Sequence, residues 1–379
     1  MKGILVCSQC GRELPLLPEH MVCPDCSATQ KGDEPLRGVL EVRLSGELPE
    51  NWENEDFLPV EKKWFPPIPV GNTPLWEPSR LREETGFPRL FLKDDTANPT
   101  GSLKDRASYL VAAFAKKHGV EQIVLASTGN AGSSMSGVGA AAGINIRLYL
   151  PASAPQAKMV QSLQYGADLV KVEGTYDEAF DESLKYTNEV GGLSRNTAYN
   201  PLTVEGKKTA ALEIFKQLGK VPDYVFIPTG DGVIISGLFK GFEDLKTFGL
   251  IDRMPVLVAV QAEGSAALVR AFENDGFTPP VPSTTLADSI SVDVPRGGYL
   301  ALSKLKKHDG RVVTVSDDQI LEAQKHLASK SGLFAEPASS AAWAGFMKMK
   351  GELESSASVV VLLTGSGLKD IEGALKGLR

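Results

Sequence analysis

A lysine at the start of a predicted helix is the first residue in this chain with a clear capacity for covalent chemistry. The run Asn98-Pro99-Thr100-Gly101-Ser102-Leu103-Lys104-Asp105-Arg106 is a turn feeding a helix, with Lys104 in its first turn. Enclosure by protein and the positive end of a helix both disfavour an ammonium, so a lysine placed there is biased toward the neutral amine. A neutral amine is the nucleophile that forms imines with carbonyl groups. A lone helical lysine is ordinarily a solvated surface charge, and it is the surrounding turn that sets Lys104 apart.

Three further turns carry more polar and glycine residues than a reversal requires. Ser127-Thr128-Gly129-Asn130-Ala131-Gly132 opens a helix of small residues and can aim amides and hydroxyls at a carboxylate, with the Asn130 amide free to meet a ring oxygen. The same run would serve equally as a helix cap with room for close packing. Pro228-Thr229-Gly230-Asp231-Gly232-Val233 suits a phosphate held on backbone donors, and is weak evidence alone. Leu363-Thr364-Gly365-Ser366-Gly367 presents hydroxyls after a final apolar run, or is a plain glycine-rich turn.

A second chemistry sits at the amino terminus. Cys7, Cys10, Cys23 and Cys26 are the chain's four cysteines, arranged as two Cys-x-x-Cys pairs. Each pair can present two thiolates from a tight turn, so the four suit a tetrahedral zinc ion. Two disulfides, four free thiols or iron are the alternatives the spacing admits. With all four positions filled by cysteine, the ion's role is structural, because no open coordination site is left for substrate.

These residues need a scaffold, and the pattern between them supplies one. Short β-branched runs alternate with helical patterns beyond residue 88, the order of parallel sheets covered by helices. Strands are predicted over residues 89–93, 122–126, 146–150, 169–172, 224–227, 256–260, 312–315 and 359–363. Helices are predicted over 102–118, 177–190, 204–218, 233–248, 317–331 and 338–349. Each of the four turns then falls where a strand ends and a helix begins, the edge at which open parallel sheets bind ligands.

The 379 residues exceed one ordinary domain, and 42% hydrophobic with 23% charged residues describes a globular protein with a large core. A net charge of -7 favours solubility and gives no general case for nucleic acid. No apolar run reaches the ~20 residues of a membrane helix, so a cytoplasmic protein without membrane partners is expected. The expected divisions are a cysteine-built module over residues 1–45 ahead of a separate body, an acidic surface linker over 46–67, and a body over 68–379. Within the body, a small domain of about 98–200 is inserted in a large one of about 68–97 and 201–379.

Taken in this order and spacing, the four turns resemble those of the fold type II pyridoxal-phosphate enzymes, over about residues 68 to 379. Val70-Gly71-Asn72-Thr73-Pro74-Leu75 matches that superfamily's opening motif and Glu336-Pro337-Ala338-Ser339-Ser340-Ala341 its late helix start. The module in front is similar to that of archaeal and some bacterial threonine synthases. The resemblance implies two open, mainly parallel α/β domains behind a zinc-ribbon-like module, with pyridoxal 5'-phosphate and structural zinc as cofactors. It implies that Lys104 holds the cofactor as an imine and shuttles the α-proton, and that Asn130 bonds the ring hydroxyl oxygen. Thr229, Gly230, Asp231, Gly232 and Val233 would bind the phosphate, and Thr364 would face the ring nitrogen. Ser127 and Thr128 would take the substrate carboxylate, with Ala131 beside them, and a homodimer is the expected assembly.

The chain departs from the threonine synthase pattern at four places. Ala131 stands where a threonine is usual, Ala198 and Thr203 where a serine and an arginine are usual, and Asp231 where asparagine is common. An arginine fork is the usual holder of a phosphate dianion. Its loss predicts a substrate without a distal phosphate and no arginine in the space beyond its γ-carbon, unless Arg195, Lys207, Lys208 or Arg296 stands in. Three functions follow: a threonine synthase acting on phosphohomoserine; an ammonia-lyase or β-replacement enzyme on serine, threonine or diaminopropionate; and a non-catalytic cofactor-binding protein.

Overall fold

The computed structural model describes residues 1–154 and 156–378. Among them thirteen strands form three sheets. The amino-terminal sheet is antiparallel, with β1 (Lys2–Cys7) between β2 (Glu13–Pro15) and β3 (Leu40–Ser45). Next come β4 (Leu75–Trp76) and β5 (Leu90–Asp94), then β6 (Gln122–Ala126), β7 (Asn145–Pro151), β8 (Asp168–Val172) and β9 (Leu193–Ser194). The last four pair in parallel in the order β8-β7-β6-β9.

The chain then returns to the sheet begun by β4 and β5. β10 (Tyr224–Pro228), β11 (Val256–Ala262), β12 (Arg311–Val315) and β13 (Val359–Leu363) complete it in the order β12-β11-β10-β13-β5-β4. Every pair but the β4–β5 edge is parallel. Strands covered on both faces read as unbroken apolar runs, and β13, Val-Val-Val-Leu-Leu, is buried at all five positions. None of the described helices is long and apolar enough to cross a membrane.

The predicted strands of the body appear within one or two residues of their expected bounds. One predicted helix divides: the pattern over 204–218 becomes Leu202–Lys207 and Thr209–Leu218, bent at Lys208. Two contacts cause the bend. The Thr209 hydroxyl donates to the Gly206 carbonyl at 2.9 Å, and Gly206 lies so close to the Arg106 carbonyl that a Cβ would come within 2.4 Å of it. Tertiary contact with the helix Lys104–Lys117 thus overrides a continuous helical pattern.

The amino-terminal strands pack against the body. Leu5, Cys7, Cys23, Leu40 and Val42 share one core cluster with Leu110, Val111 and Phe114 of the Lys104 helix. Leu36 and Val39 pack with Ala198, Val204, Val233 and Leu300. Three short strands have too little apolar surface to close a core alone, so they borrow the body's. The acidic segment between module and body is likewise pinned, through buried Trp52, Phe57, Leu58 and Val60.

Candidate active site

All four polar turns leave the carboxyl ends of strands, and two are stitched together. The Leu103 amide donates to the Thr364 carbonyl and the Ser366 amide to the Gly101 carbonyl, both at 2.9 Å. The Glu336 amide in turn donates to the Gly365 carbonyl at 2.9 Å. Lys104, Thr364 and Glu336 are therefore held by backbone, which fixes their relative positions without depending on rotamers.

Lys104 is the first residue of its helix and has no side-chain cap above it. Burial lowers its pKa, opposed by the charges of Asp231 and Glu336 and reinforced by Arg195. The amine is thus displaced toward its neutral, nucleophilic form, as an imine-forming lysine requires. Asp105 beside it accepts from the Thr100 amide and hydroxyl, which shapes the turn.

Asn130 opens the helix Asn130–Ala142, and its amide nitrogen donates to the Glu336 carboxylate at 3.1 and 3.0 Å and to Ser289 at 3.2 Å. Ser127 accepts from the Gly129 and Gly132 amides at 3.2 and 3.0 Å, so its hydroxyl proton remains to be given. Thr128, Gly129, Asn130, Ser133, Glu336 and Lys369 line one cleft of about 240 Å³. Ala131, half-buried, adds no polar atom to it.

The turn after β10 fits a phosphate. Gly232 has φ +80, and a Cβ there would come within 2.7 Å of Ala301; one at Gly230 would come within 2.8 Å of Ile290. Gly232 precedes the helix Val233–Thr247, whose amino terminus has no side-chain cap, so its first amides remain for an anion. Thr229 is buried, its amide on the Val260 carbonyl at 2.8 Å. Asp231 is anchored through its own carbonyl, which accepts from the Gly297 amide at 2.8 Å.

Among the candidate cations, Arg195 and Lys207 stand apart from Lys208 and Arg296. Arg195 is 0% exposed, and its Nε and Nη2 find no hydrogen-bond partner among the described residues; only Nη1 donates, to Thr197 at 3.2 Å. Lys207 is also 0% exposed, with its Nζ unpartnered. Its pKa is pushed well down by burial and by the charges of Lys104 and Arg195, against Asp231. Of the other two candidate cations, Lys208 is paired with Glu205 and Asp244, and Arg296 with Asp177. Thr203, the arginine's usual place, spends its hydroxyl within the turn on the Asn200 carbonyl and Ala198 amide.

Comparison with known proteins gives this geometry a family. Residues 68–365 match the family described as pyridoxal-phosphate dependent enzyme. The chain belongs to that family. A threonine synthase of Methanosarcina acetivorans is 34% identical over 377 residues, covering 93% of this chain and 92% of the relative. One of Halalkalibacterium halodurans is 36% identical over 330 residues, covering 85% and 90%. Solved structures share the fold: maize serine racemase at TM-score 0.71 and 19% identity, covering 81% and 92%, and tomato threonine deaminase isoform 2 at 0.70 and 21%, covering 80% and 86%.

A fold type II enzyme of this family needs more than its signature turns. The opening motif does not reach the cleft; Glu213 accepts from the Asn72 and Thr73 amides at 2.8 and 3.3 Å, and Arg106 and Lys93 bind the same carboxylate. Sequence reasoning quoted Glu336 only as part of a helix start and left Lys369 out, and nothing in their spacing marked either as a cleft residue. At the amino terminus, Cys7–Cys26 and Cys10–Cys23 sulfur pairs are each 3.7 Å apart, and all four sulfurs lie within 4.8 Å of one another. The thiols are unbridged.

Proposed function

We propose that this protein is a threonine synthase, converting O-phospho-L-homoserine and water to L-threonine and phosphate. The observation that carries the reading is the 34% identity to a threonine synthase over 93% of the chain. The bound cofactor supplies an electron sink for negative charge at the substrate's α-carbon. Lys104 is the amine that holds it and then carries the α-proton, for which its lowered pKa suits it. Asn130, whose amide lies against the Glu336 carboxylate, would hydrogen-bond the ring hydroxyl oxygen. Thr229 to Val233 receive the cofactor phosphate on backbone amides.

Thr364 would hold the ring nitrogen, and a hydroxyl cannot keep that nitrogen protonated as a carboxylate would. Loss of a leaving group is then favoured over full delocalisation of the carbanion. Ser127 and Thr128 give hydroxyl protons to the substrate carboxylate. The four cysteines hold zinc: tetrahedral coordination with bonds of about 2.3 Å sets sulfur separations of about 3.8 Å, which the 3.7 Å pairs match. Unbridged thiols at this distance suit a reducing cytoplasm. A homodimer is retained as the expected assembly.

A second reading, an ammonia-lyase on an unphosphorylated amino acid, is favoured by one observation, the carboxylate of Asp231 in the phosphate loop. Phosphate and ammonia release, measured over phosphohomoserine, threonine, serine and diaminopropionate, separates the two. Phosphate and threonine from phosphohomoserine are expected; ammonia from an unphosphorylated substrate, with no phosphate release, overturns the assignment.

A further inference from the structure

We infer that Arg195 and Lys207 form a seat for an anionic group on the substrate's side chain, the phosphate ester in the proposed reaction. The inference rests on that proposed reaction and supplies the phosphate ligand that Thr203 cannot. Its basis is a contrast among buried cations. Arg106 pairs with Asp95 and Glu213, Lys93 with Glu213, Lys208 with Glu205 and Asp244, and Lys304 with Glu41 and Glu243. Arg195 and Lys207 are as deeply buried, yet three of their nitrogens, Nε, Nη2 and Nζ, meet no acceptor among the described residues. Buried donors without a partner cost several kcal/mol, so a fold that keeps both side chains in this state is completed by an anion.

The chain places both with care. Arg195 follows β9, its amide on the Val124 carbonyl at 2.8 Å, beside the strand that leads to the Ser127 turn. Lys207 ends the helix Leu202–Lys207, which is pressed between two others; a Cβ on Gly237 would come within 2.8 Å of Lys207 Cβ. The charge of Arg195 bears on Lys104 and on Lys207, and Lys207 also feels Lys104 and Asp231. Arg195 supplies the standing positive charge, and Lys207, held toward its neutral form by burial, becomes the second cation when an anion arrives. The cofactor phosphate has its own donors at the uncapped Val233 helix. When the substrate's Cγ–O bond breaks, both electrons leave on the phosphate oxygen, and these cations stabilise that charge.

Titration gives a signature. Burial brings Arg195 down to about 10 and Lys207 well below its ordinary 10.5. The groups facing Lys207 are Lys104, Arg195 and Asp231. The unfolded chain binds the Lys207 proton more tightly, so substrate-free stability rises with pH up to about 10.5 and falls as pH drops toward the folded-state value. A dianion in the seat raises the Lys207 pKa, so its binding takes up a proton.

The test uses the holoenzyme, with binding read from its visible absorbance for O-phospho-L-homoserine against L-homoserine. The unaltered protein is expected to prefer the phosphorylated ligand, and Arg195→Gln and Lys207→Met each to cut that preference about ten- to hundredfold, the worth of a charge-assisted hydrogen bond. Homoserine binding is expected to hold, and Lys207→Met to be at least as thermostable as the unaltered protein and to flatten the alkaline stability slope. No preference in the unaltered protein, or an undiminished one in both variants, overturns the seat. Lost cofactor affinity with the preference intact also overturns it, by giving the cations to the cofactor. Product analysis is read separately: a phosphate preference without threonine formation defeats the proposed reaction and leaves the seat standing.

Discussion

At Lys104 the expected loss is functional and not structural. Lys104→Ala removes the imine nitrogen and the proton carrier, while the turn around it stays tied by the Leu103–Thr364 and Ser366–Gly101 backbone bonds. Turnover should fall below detection and the visible absorbance of the bound cofactor should change, with the far-ultraviolet circular dichroism intact. Turnover near the unaltered rate would remove Lys104 from the reaction. Ala198 shows another residue-scale effect: it is fully buried with φ +65, a left-handed conformation that costs a non-glycine residue about 1 kcal/mol or more. The turn that keeps it there also carries Arg195 and Thr203, so its strain lies at the edge of the site.

Among the elements, the Lys104 helix is held by charge as well as by packing. Arg106, two residues along, is bound by Asp95 and Glu213, and Glu213 from the helix Thr209–Leu218 also takes Lys93 and the Asn72 amide. Glu213 stays ionised because Arg106 and Lys93 outweigh its burial, bringing its pKa to about 2. Its stabilising contribution is present above the ordinary carboxylate range and is lost only as pH falls toward 2. Glu213→Ala leaves Lys93 without its carboxylate and Arg106 with one of two. It should destabilise the protein by about 3–5 kcal/mol in chemical denaturation, the usual cost of breaking a buried pair. A loss under 1 kcal/mol would mean that the network is dispensable.

Over the whole molecule, the cysteine module bears on the cofactor loop by a short path. The Leu36 amide donates to the Arg296 carbonyl at 3.0 Å, and the Gly297 amide donates to the Asp231 carbonyl. Tyr299 donates to Glu34 at 2.8 Å, and Glu34 is paired with Arg37. Cys7→Ser with Cys10→Ser should therefore abolish zinc content and also weaken cofactor binding, although no cysteine approaches the cleft. Metal analysis and a cofactor titration check the two effects. Zinc-free unaltered protein, prepared without chelator, would refute the metal; unchanged cofactor affinity in the variant would refute the path.

What the sequence determined by itself was what local chemistry encodes. Lys104 after its Pro-Thr-Gly-Ser turn, the glycines of residues 229–233 and the paired Cys-x-x-Cys runs need particular residue types at fixed short spacing, and the β-branched runs of the parallel strands are legible because both faces are buried. Tertiary structure decided whatever depends on partners distant in the chain. Lys207 and Lys208 are adjacent in sequence and both buried, yet Lys208 meets Glu205 and Asp244 while Lys207 meets no acceptor among the described residues. Their separation follows from the bend at Lys208, itself imposed by the contact of Gly206 with the Lys104 helix. A charge is solvated, paired or held open according to what packs against it, and no neighbouring residue in the sequence records that.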